Sequence, residues 1–331
     1  MKILETIGID ISKLTFDVRI HSNQFYKQFE NNDDGYDKLT KWAYKNSSFT
    51  KKNILFAFEH TGLYSHNLAV YLTTKEIAFS LIPGLEIKRS LGIARGKDDK
   101  VDATKIALYA FRLRDEIKPY TMPSSDIISL KNLLSLRDRI VKQKAGFVAS
   151  LKEQSRILKN DGNETLFLTQ EKMIVFLSEQ IEEIDNELSK IIKNDDLLKE
   201  QYKLIVSIKG VGKQTALHMI AYTSAFTLFN TWRQFASYAG IAPFPNSSGT
   251  SIFGKTKVNN LANKKLKTLL DLCAKSAKQH NLEMKKYYDR RIEIGKNKMS
   301  TINIIRNKIV ARIFAVIERK SPYVDFLKYA S

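Results

Sequence analysis

Two short apolar segments, each ending in a carboxylate, constrain the fold of this chain most strongly. Residues 6–10 read Thr-Ile-Gly-Ile-Asp, and residues 53–59 read Asn-Ile-Leu-Phe-Ala-Phe-Glu. Short runs of this kind are typical of strands that are buried on both faces of a sheet. Open α/β sheets bind their ligands at the carboxyl ends of such strands. We therefore expect Asp10 and Glu59 at a ligand-binding edge, although a single strand-end acid is more often a loop cap.

The surrounding segments predict a mixed α/β domain over residues 1–120. The predicted order is β-β-β-α-β-α-β-α, with helices on the faces of the sheet. Besides the two apolar strands, the pattern gives strands at 14–20, 24–30 and 77–82, and helices at 36–44, 63–72 and from about 102 onwards.

An acidic cluster interrupts a basic stretch at residues 97–103, Lys-Asp-Asp-Lys-Val-Asp-Ala. Asp99 and Asp102 are three residues apart, so they share a face if a helix begins near Asp102. Acids at a helix start complement the helix dipole, which explains the pair as well as metal ligation does. With Asp10 and Glu59, however, the pair makes four carboxylates, a ligand set suited to Mg²⁺ or Mn²⁺.

The charge of the chain predicts a polyanionic partner. Its 54 Lys and Arg exceed its 35 Asp and Glu, giving a formal charge of +19. Nucleic acid is favoured because its phosphates release counterions on neutralisation. A membrane is disfavoured, since no apolar run approaches about 20 residues and residues 1–5 do not resemble a signal peptide. The lone Cys273 excludes an internal disulfide and fits the cytoplasm.

Residues 121–200 predict an antiparallel helical hairpin of coiled-coil type. Apolar residues recur at three- and four-residue spacings in both halves, and a polar turn at 160–163 separates them. Such a hairpin either spaces two domains or associates with a second copy. Because one hairpin leaves part of its apolar seam exposed, we favour a homo-oligomer, a dimer or a tetramer. The seam residues are Leu130, Leu133, Ile140, Phe147, Leu151 and Leu158, then Ile174, Leu177, Ile181, Ile184, Leu188 and Ile191.

The remaining residues, 201–331, predict a mainly α domain that begins with a helix-hairpin-helix. Gly210 and Gly212 form a tight turn between two apolar segments. The backbone N–H groups of such a turn suit a phosphate oxygen, and Lys209 and Lys213 add positive charge. An ordinary glycine turn between packed helices is the alternative interpretation.

Three motifs in the first part of the chain resemble the Asp-Glu-Asp-Asp set of the IS110-family transposases. They are Gly-Ile-Asp-Ile-Ser-Lys at 8–13, Phe-Glu-His-Thr-Gly at 58–62 and the acidic cluster at 97–103. The resemblance implies an N-terminal domain with the RuvC, ribonuclease H-like fold. It also implies Mg²⁺, with Mn²⁺ as an alternative, held by Asp10, Glu59, Asp99 and Asp102. Asp98 replaces the Ser or Thr often found there.

The third segment resembles the C-terminal transposase domain of the same family. The resemblance implies that Ser248 is the nucleophile, with Ser247 as the second choice, in a loop that would otherwise read as a plain turn. Lys255 and Lys257 would contact nucleic acid, whereas Phe253 departs from a basic residue common in the family. The supporting order is Gly-Ile-Ala-Pro at 240–243, Ser-Gly at 248–249, Gly-Lys-Thr-Lys at 254–257 and a basic helix from 261 to about 280.

The family resemblance implies a DNA recombinase of an insertion sequence, guided by a structured bridge RNA. Metal-assisted attack of Ser248 on DNA would give a covalent phosphoserine intermediate. The alternatives are a RuvC-like nuclease or junction resolvase that uses water, a DNA invertase of the same family, and a non-catalytic nucleic-acid scaffold.

Two further rivals lack supporting residues in the sequence. Gly8-Ile9-Asp10 also resembles the first phosphate loop of actin-like and sugar-kinase ATPases. That fold needs a second glycine-rich phosphate loop after a strand, and residues 120–331 offer none in such a context. Tyr287 or Tyr288 as a recombinase nucleophile would need an Arg/His constellation that the chain does not supply.

Overall fold

The computed structural model divides the chain into two compact units, Met1–Met122 and Pro123–Ser331. The predicted boundary between residues 121–200 and 201–331 stays a prediction. The structure describes residues 2–60, 62–90, 99–158, 162–248 and 252–325. Within these ranges, five side chains are not described, namely those of Asp99, Ser248, Ile252, Phe253 and Lys255.

The first unit contains a five-stranded mixed sheet with the order β3-β2-β1-β4-β5. The first three strands are antiparallel neighbours, whereas β1, β4 and β5 run parallel. The mixed α/β prediction is therefore confirmed, including the number of strands and their order along the chain. The strands are β1 Glu5–Ile11, β2 Thr15–Ile20, β3 Tyr26–Glu30, β4 Ile54–Glu59 and β5 Phe79–Ile82.

Helices cover both faces of this sheet. Ile7 and Ile9 of β1 share a buried cluster with residues of α1 and α2, while Ala57 of β4 shares another with Ile106 of α4. Burial on both faces explains why β1 and β4 are apolar at nearly every position. The helices are α1 Asp33–Asn46, α2 Leu63–Thr74, α3 Gly84–Ser90 and α4 Asp99–Arg112, with a 3-10 turn at Lys51–Asn53.

The second unit is mainly helical, as predicted, and has one core formed by residues from most of its helices. Ile220, Leu270 and Ile309 are fully buried there, on α8, α10 and α12. The helices are α5 Ser125–Ile157, α6 Glu164–Asn194, α7 Asp196–Val206, α8 Lys213–Thr223, α9 Trp232–Tyr238, α10 Lys264–His280, α11 Leu282–Glu293 and α12 Lys298–Arg319.

Helices α5 and α6 lie against each other over much of their length. Arg137 donates to both carboxylate oxygens of Asp185 at 2.7 and 2.8 Å, and the Gln170 amide donates to Gln154 Oε1 at 2.6 Å. The first contact joins an early residue of α5 to a late residue of α6, and the second joins a late residue of α5 to an early residue of α6. The two helices are therefore antiparallel. Coiled-coil geometry stays a prediction, and part of the predicted turn, residues 159–161, lies outside the described residues.

The structure differs from the sequence predictions at two places near the candidate site. The helix expected to begin near Asp102 begins one turn earlier, at Asp99. A polar loop was expected around 246–251, but residues 246–248 belong to a strand, β6 Pro243–Ser248, which pairs antiparallel with β7 Ile252–Val258. Residues 249–251 of the expected loop lie outside the described residues. Among the described residues, no helix is long and apolar enough to cross a membrane.

Candidate active site

Asp10 and Glu59 lie at the same edge of the sheet. Parallel strands β1 and β4 pair with Ile9 opposite Phe58, and the acids are the next residue on each strand. Neighbouring strands are about 4.8 Å apart. Both residues are partly exposed, unlike the fully buried positions that precede them.

The two acids also share the face of the sheet that α4 covers. Gly8 contacts α4, since a Cβ added there would lie 2.2 Å from the Ala103 carbonyl oxygen. Side chains alternate along a strand, so Asp10 is on that same face. Ala57 packs with Ile106 of α4, and the same alternation places Glu59 with it.

Helix α4 runs antiparallel to β1, with its first turn towards the Asp10 end. Thr6 Oγ1 donates to the Ala107 carbonyl at 2.9 Å, while Gly8, further along β1, contacts the earlier residue Ala103. Continuing in that direction leads to the start of α4, where Asp99 and Asp102 lie. The backbone of Asp99 begins the helix, and its side chain is outside the described residues.

Gly84, the first residue of α3, leaves the space that the Glu59 carboxylate occupies. A Cβ added at Gly84 would lie 1.8 Å from Glu59 Oε1. Helix α3 is in turn tied to α4, because Tyr109 donates to Glu86 Oε2 at 3.0 Å. Burial and this hydrogen bond raise the pKa of Tyr109 to about 12, so the tyrosine is neutral and keeps its proton for the bond.

Asp102 has a cation as its partner. Lys105 Nζ lies 2.7 Å from Asp102 Oδ1, one turn along α4. The two side chains are 25% and 36% exposed, so solvent screens the pair and it contributes on the order of 0–1 kcal/mol. An interaction this weak leaves the carboxylate able to exchange its partner for a stronger cation.

The fit to a divalent metal follows from the chemistry of these groups. Asp10, Glu59 and Asp102 supply only carboxylate oxygens, which hard cations prefer, and the open cradle at Gly84 accommodates one of them. Among the described side chains, no group of three or more Asp, Glu, His or Cys residues is close enough together to hold a metal ion. The side chain of Asp99 is not among those described. Asp98 also lies outside the described residues.

Asp17 is an acid at this site that sequence reasoning missed. It pairs directly with Asp10 across β1 and β2 and is buried. Tyr26 and Gln28, both on β3, donate to its carboxylate. The alternating pattern of β2 could have identified this residue, because Asp17 lies on the polar face of the strand, opposite to the face that carries Phe16 and its apolar neighbours. Its satisfied oxygens suit a role in positioning the sheet edge rather than in ligation.

The predicted nucleophile lies on the ribbon of the second unit. Ser248 is the last residue of β6, paired with Ile252, and its side chain is outside the described residues. Ser247 is exposed and pairs with Phe253, and Lys257, also exposed, pairs with Phe244. Lys255 is on β7 with an undescribed side chain.

The predicted phosphate-binding turn lies between α7 and α8. Gly210 has φ +93°, and a Cβ there would lie 2.8 Å from Ala277 of α10, so both conformation and packing require glycine. Gly212 is the N-cap of α8 and faces open space. Lys213 is exposed, whereas Lys209 pairs with Asp325 at 3.1 Å.

Tyr287 and Tyr288 of α11 are half-buried and pack against the helical core. Lys308 and Lys278 lie over their rings at 4.6 and 4.5 Å from the centroids. These contacts give both tyrosines a packing role in the second unit.

Comparison with known proteins matches both units to transposases. Residues 202–289 match the family described as Transposase IS116/IS110/IS902 family, and residues 7–156 match a DEDD transposase family named after IS110.

Three relatives also connect this chain with DNA inversion or insertion elements, two over nearly its whole length and one over about a third of it. Proteins called pilin gene-inverting protein, from Moraxella bovis and Moraxella lacunata, are each 29% identical over 335 residues, covering 96% of this chain and 97% of the relative. An uncharacterized 43.6 kDa protein of insertion element IS110 from Streptomyces coelicolor is 32% identical over 114 residues, 34% of this chain and 28% of that protein. A DEDD transposase domain implies a divalent metal in general terms. With strand-end acids in the first unit and transposase matches along both, this chain belongs to the IS110 family of transposases and is a DNA transposase or recombinase.

Proposed function

We propose that the protein cleaves and rejoins DNA through a serine nucleophile assisted by divalent metal. Asp10, Glu59, Asp99 and Asp102 would hold the metal, with Mg²⁺ favoured and Mn²⁺ as the alternative. When bound, the metal would neutralise charge on the scissile phosphate and polarise it towards attack. The observation that carries this proposal is the shared face and edge of Asp10 and Glu59, towards which the first turn of α4 is directed.

The strand order supports a RuvC-like, ribonuclease H-like assignment for the first unit. Three antiparallel strands followed by two parallel ones, in the order β3-β2-β1-β4-β5, put β1 at the centre of the sheet. The central strand and its parallel neighbour β4 then carry the first two acids. Gly84 and the Tyr109–Glu86 hydrogen bond would keep the Glu59 carboxylate and α4 in fixed positions.

Ser248 would attack a DNA phosphodiester directly. The bond from its Oγ to phosphorus forms as a phosphorus–oxygen bond of the strand breaks. The proton lost by the serine is transferred to the departing oxygen, directly or through water, so this oxygen leaves as a hydroxyl. Attack by the freed hydroxyl of another strand on the phosphoserine then restores a phosphodiester and the serine, so strand exchange needs no external energy source.

Trapping of the covalent intermediate tests this chemistry. The full-length protein is incubated with labelled element-end DNA, co-purified RNA and Mg²⁺, and the denatured mixture is separated by electrophoresis. Ser248→Ala and Asp10→Asn should each abolish the labelled protein band, whereas Ser247→Ala should retain it. Cleavage by Ser248→Ala without any covalent band would instead establish a nuclease or junction resolvase that uses water.

Positive charge around the glycine turn and the ribbon supports the contacts proposed with nucleic acid. Lys209, Gly210, Gly212 and Lys213 would bind a backbone phosphate as a helix-hairpin-helix, with Lys255 and Lys257 contributing from the ribbon. The Lys209–Asp325 pair makes Lys213 the more available of the two lysines at the turn. A bridge RNA would guide the reaction, and omission of the co-purified RNA should then abolish recombination at the correct sites.

DNA inversion is the second candidate reaction, favoured by one observation. The relatives named pilin gene-inverting protein align with 96% of this chain and 97% of their own length. A plasmid carrying two sites in opposite orientation distinguishes the two outcomes: inversion reorients the enclosed segment, whereas transposition moves an element to a separate target.

A further inference from the structure

A basic cavity of about 640 Å³ opens among α6, α7 and α8 in the second unit. Its volume falls in the range of sites for small molecules, about 300–1,000 Å³. Among its lining residues, only Lys213 has a proposed ligand so far, the backbone phosphate at the glycine turn. The lining residues that matter here are Lys193, Lys199, Tyr202, Lys203, Lys213 and Gln214.

The cavity has an excess of positive charge. In the described part of the chain, Lys193, Lys203 and Lys213 have no carboxylate within 4.0 Å, and Lys199 has only a fully exposed Asp196 at 3.9 Å. The one acid in the wall, Asp185, is already held by both arms of Arg137. Four ammonium groups around one cavity repel each other, so an anionic ligand stabilises the arrangement.

The start of α8 adds a second feature that suits an anion. Lys213 and Gln214, its first two residues, line the cavity, and the N-cap Gly212 offers no side-chain cap to the free N–H groups. The Gln214 amide nitrogen donates to Asp185 at 3.0 Å, which holds this side chain in the wall of the cavity.

Tyr202 gives the cavity an aromatic wall. The side chain is half-buried, packs against the helical core and lines the cavity. Burial raises the pKa of Tyr202, which keeps the phenol neutral and its ring suited to stacking. Aromatic rings beside lysines are the combination that binds unpaired bases and their phosphates.

We propose that this cavity binds an unpaired nucleotide of a single-stranded nucleic acid. Its base stacks on Tyr202, and the flanking phosphates lie against Lys193, Lys199 and Lys203. A duplex cannot use the cavity in this way, because its bases are paired and stacked within the helix. The inference rests on the proposed function only in taking nucleic acid as the partner. Single-stranded DNA and single-stranded RNA both offer unpaired bases and phosphates, and the test determines which of the two the cavity binds.

Binding by the full-length protein tests the inference. Fluorescence anisotropy is measured with labelled single-stranded DNA, RNA of the same sequence and the corresponding DNA duplex, in EDTA so that no strand is cut. The variant Lys193→Ala/Lys199→Ala/Lys203→Ala should bind single strands on the order of tenfold to a hundredfold more weakly. Its salt dependence should be shallower by about 2 in log–log slope, since each single-strand contact contributes about 0.7. Whichever of DNA or RNA loses more affinity is the strand that the cavity serves.

Matched variants make the result decisive. Replacing the same lysines with arginine should preserve binding of single strands. Tyr202→Phe should retain the affinity for single strands, whereas Tyr202→Leu should lower it. A charge-matched control, Lys51→Ala/Lys52→Ala/Lys75→Ala, removes three cations that line a different groove, in the first unit. Equal losses in both triple alanine variants, or equal losses for duplex and single strand, would overturn the proposal. Thermal melting confirms that each variant is folded, and the outcome does not depend on whether Ser248 forms an adduct.

Discussion

At the scale of single residues, Gly84 is the position where a methyl group has the largest expected effect on the candidate metal site. A Cβ there would lie 1.8 Å from Glu59 Oε1, so Gly84→Ala must displace the carboxylate or α3. Because misplacement by an ångström costs about a hundredfold in rate, we expect a loss of that order in DNA cleavage. The free energy of unfolding should change much less than the cleavage rate, because the atoms that must move are the far end of the flexible Glu59 side chain.

Gly146→Ala is the matched control for that substitution. Gly146 is in the middle of α5, and nothing lies within 4 Å of an added Cβ. The change should leave cleavage unaltered and stabilise the helix by about 0.5–1 kcal/mol. Full cleavage by Gly84→Ala, measured beside this control, would show that Glu59 is not required in its present position.

His218 of α8 provides a prediction about pH. Burial lowers its pKa below the usual 6.5, although the nearby Asp138 carboxylate and the Gln214 carbonyl act in the opposite direction. The folded state therefore binds fewer protons than the unfolded state. Stability is fully present above about pH 6.5 and falls as the pH drops below that value. Denaturant midpoints measured from about pH 7.5 to about 5.5 should decline in the native protein.

The variant His218→Gln separates this histidine from other titrating groups. Glutamine cannot take up a proton, so the decline between the two pH values should become smaller. His280→Gln, at the exposed end of α10, is the matched control and should leave the decline unchanged. An identical decline in the native protein and His218→Gln would assign the effect to another group.

At the scale of elements, the approach of α4 to β1 brings the acidic helix start to the sheet edge. The Cβ of Gly8→Ala would meet backbone atoms, the Ala103 oxygen at 2.2 Å and the Ala107 nitrogen at 2.3 Å. Since neither can rotate away, α4 must move, at a cost of about 1–3 kcal/mol. Thr6→Val removes only the hydrogen bond to Ala107, at a cost of about 0.5–1.5 kcal/mol. Denaturation should rank the two in that order, and calorimetric titration with Mn²⁺ should show weaker binding in Gly8→Ala.

The exposed apolar residues of α6 carry the prediction of self-association. Val175 and Phe176 are 57% and 52% exposed. Both lie outside the predicted seam of the hairpin, and a second copy of the chain would cover them. Phe176→Lys should therefore lower the molar mass measured by light scattering, whereas Leu272→Lys, at an equally apolar site on α10 that is 57% exposed, should not. Identical masses for all three proteins would place any oligomer interface elsewhere.

The elements differ in how far the sequence could predict them, and burial explains the difference. Strands β1 and β4 were predictable because two covered faces require apolar residues at successive positions. The ribbon of β6 and β7 has no comparable pattern: Phe244 is 45% exposed, and Asn246, Ser247 and Ser248 read as a turn. The start of α4 was placed one turn late because acids are equally suited to a helix cap and to its first turn.

At the scale of the whole molecule, the sequence predicted the sheet edge better than it predicted sites built from several helices. Asp10 and Glu59 could be placed together because parallel strands end at one edge. Lys193, Lys203 and Lys213 come together only through the packing of α6, α7 and α8, and their spacing follows no period of a single helix. Net charge indicated a nucleic-acid partner but not where it binds, since charge summed over a chain contains no positional information.

The division into two compact units leads to the last prediction, on a fragment spanning residues 123–331. This fragment contains the helical core, the lysine-lined cavity and Ser248, but none of the four candidate metal ligands. We expect it to fold cooperatively and to bind single strands with an affinity close to that of the full chain. The comparison is best made at about 0.3 M salt, where screening suppresses unspecific attraction by the charges of the first unit. The fragment should form no covalent adduct with DNA at any Mg²⁺ concentration, because the scissile phosphate then lacks the metal held by the first unit. An adduct formed by the fragment alone would show that Ser248 is activated within the second unit and that the acids of the first have another role.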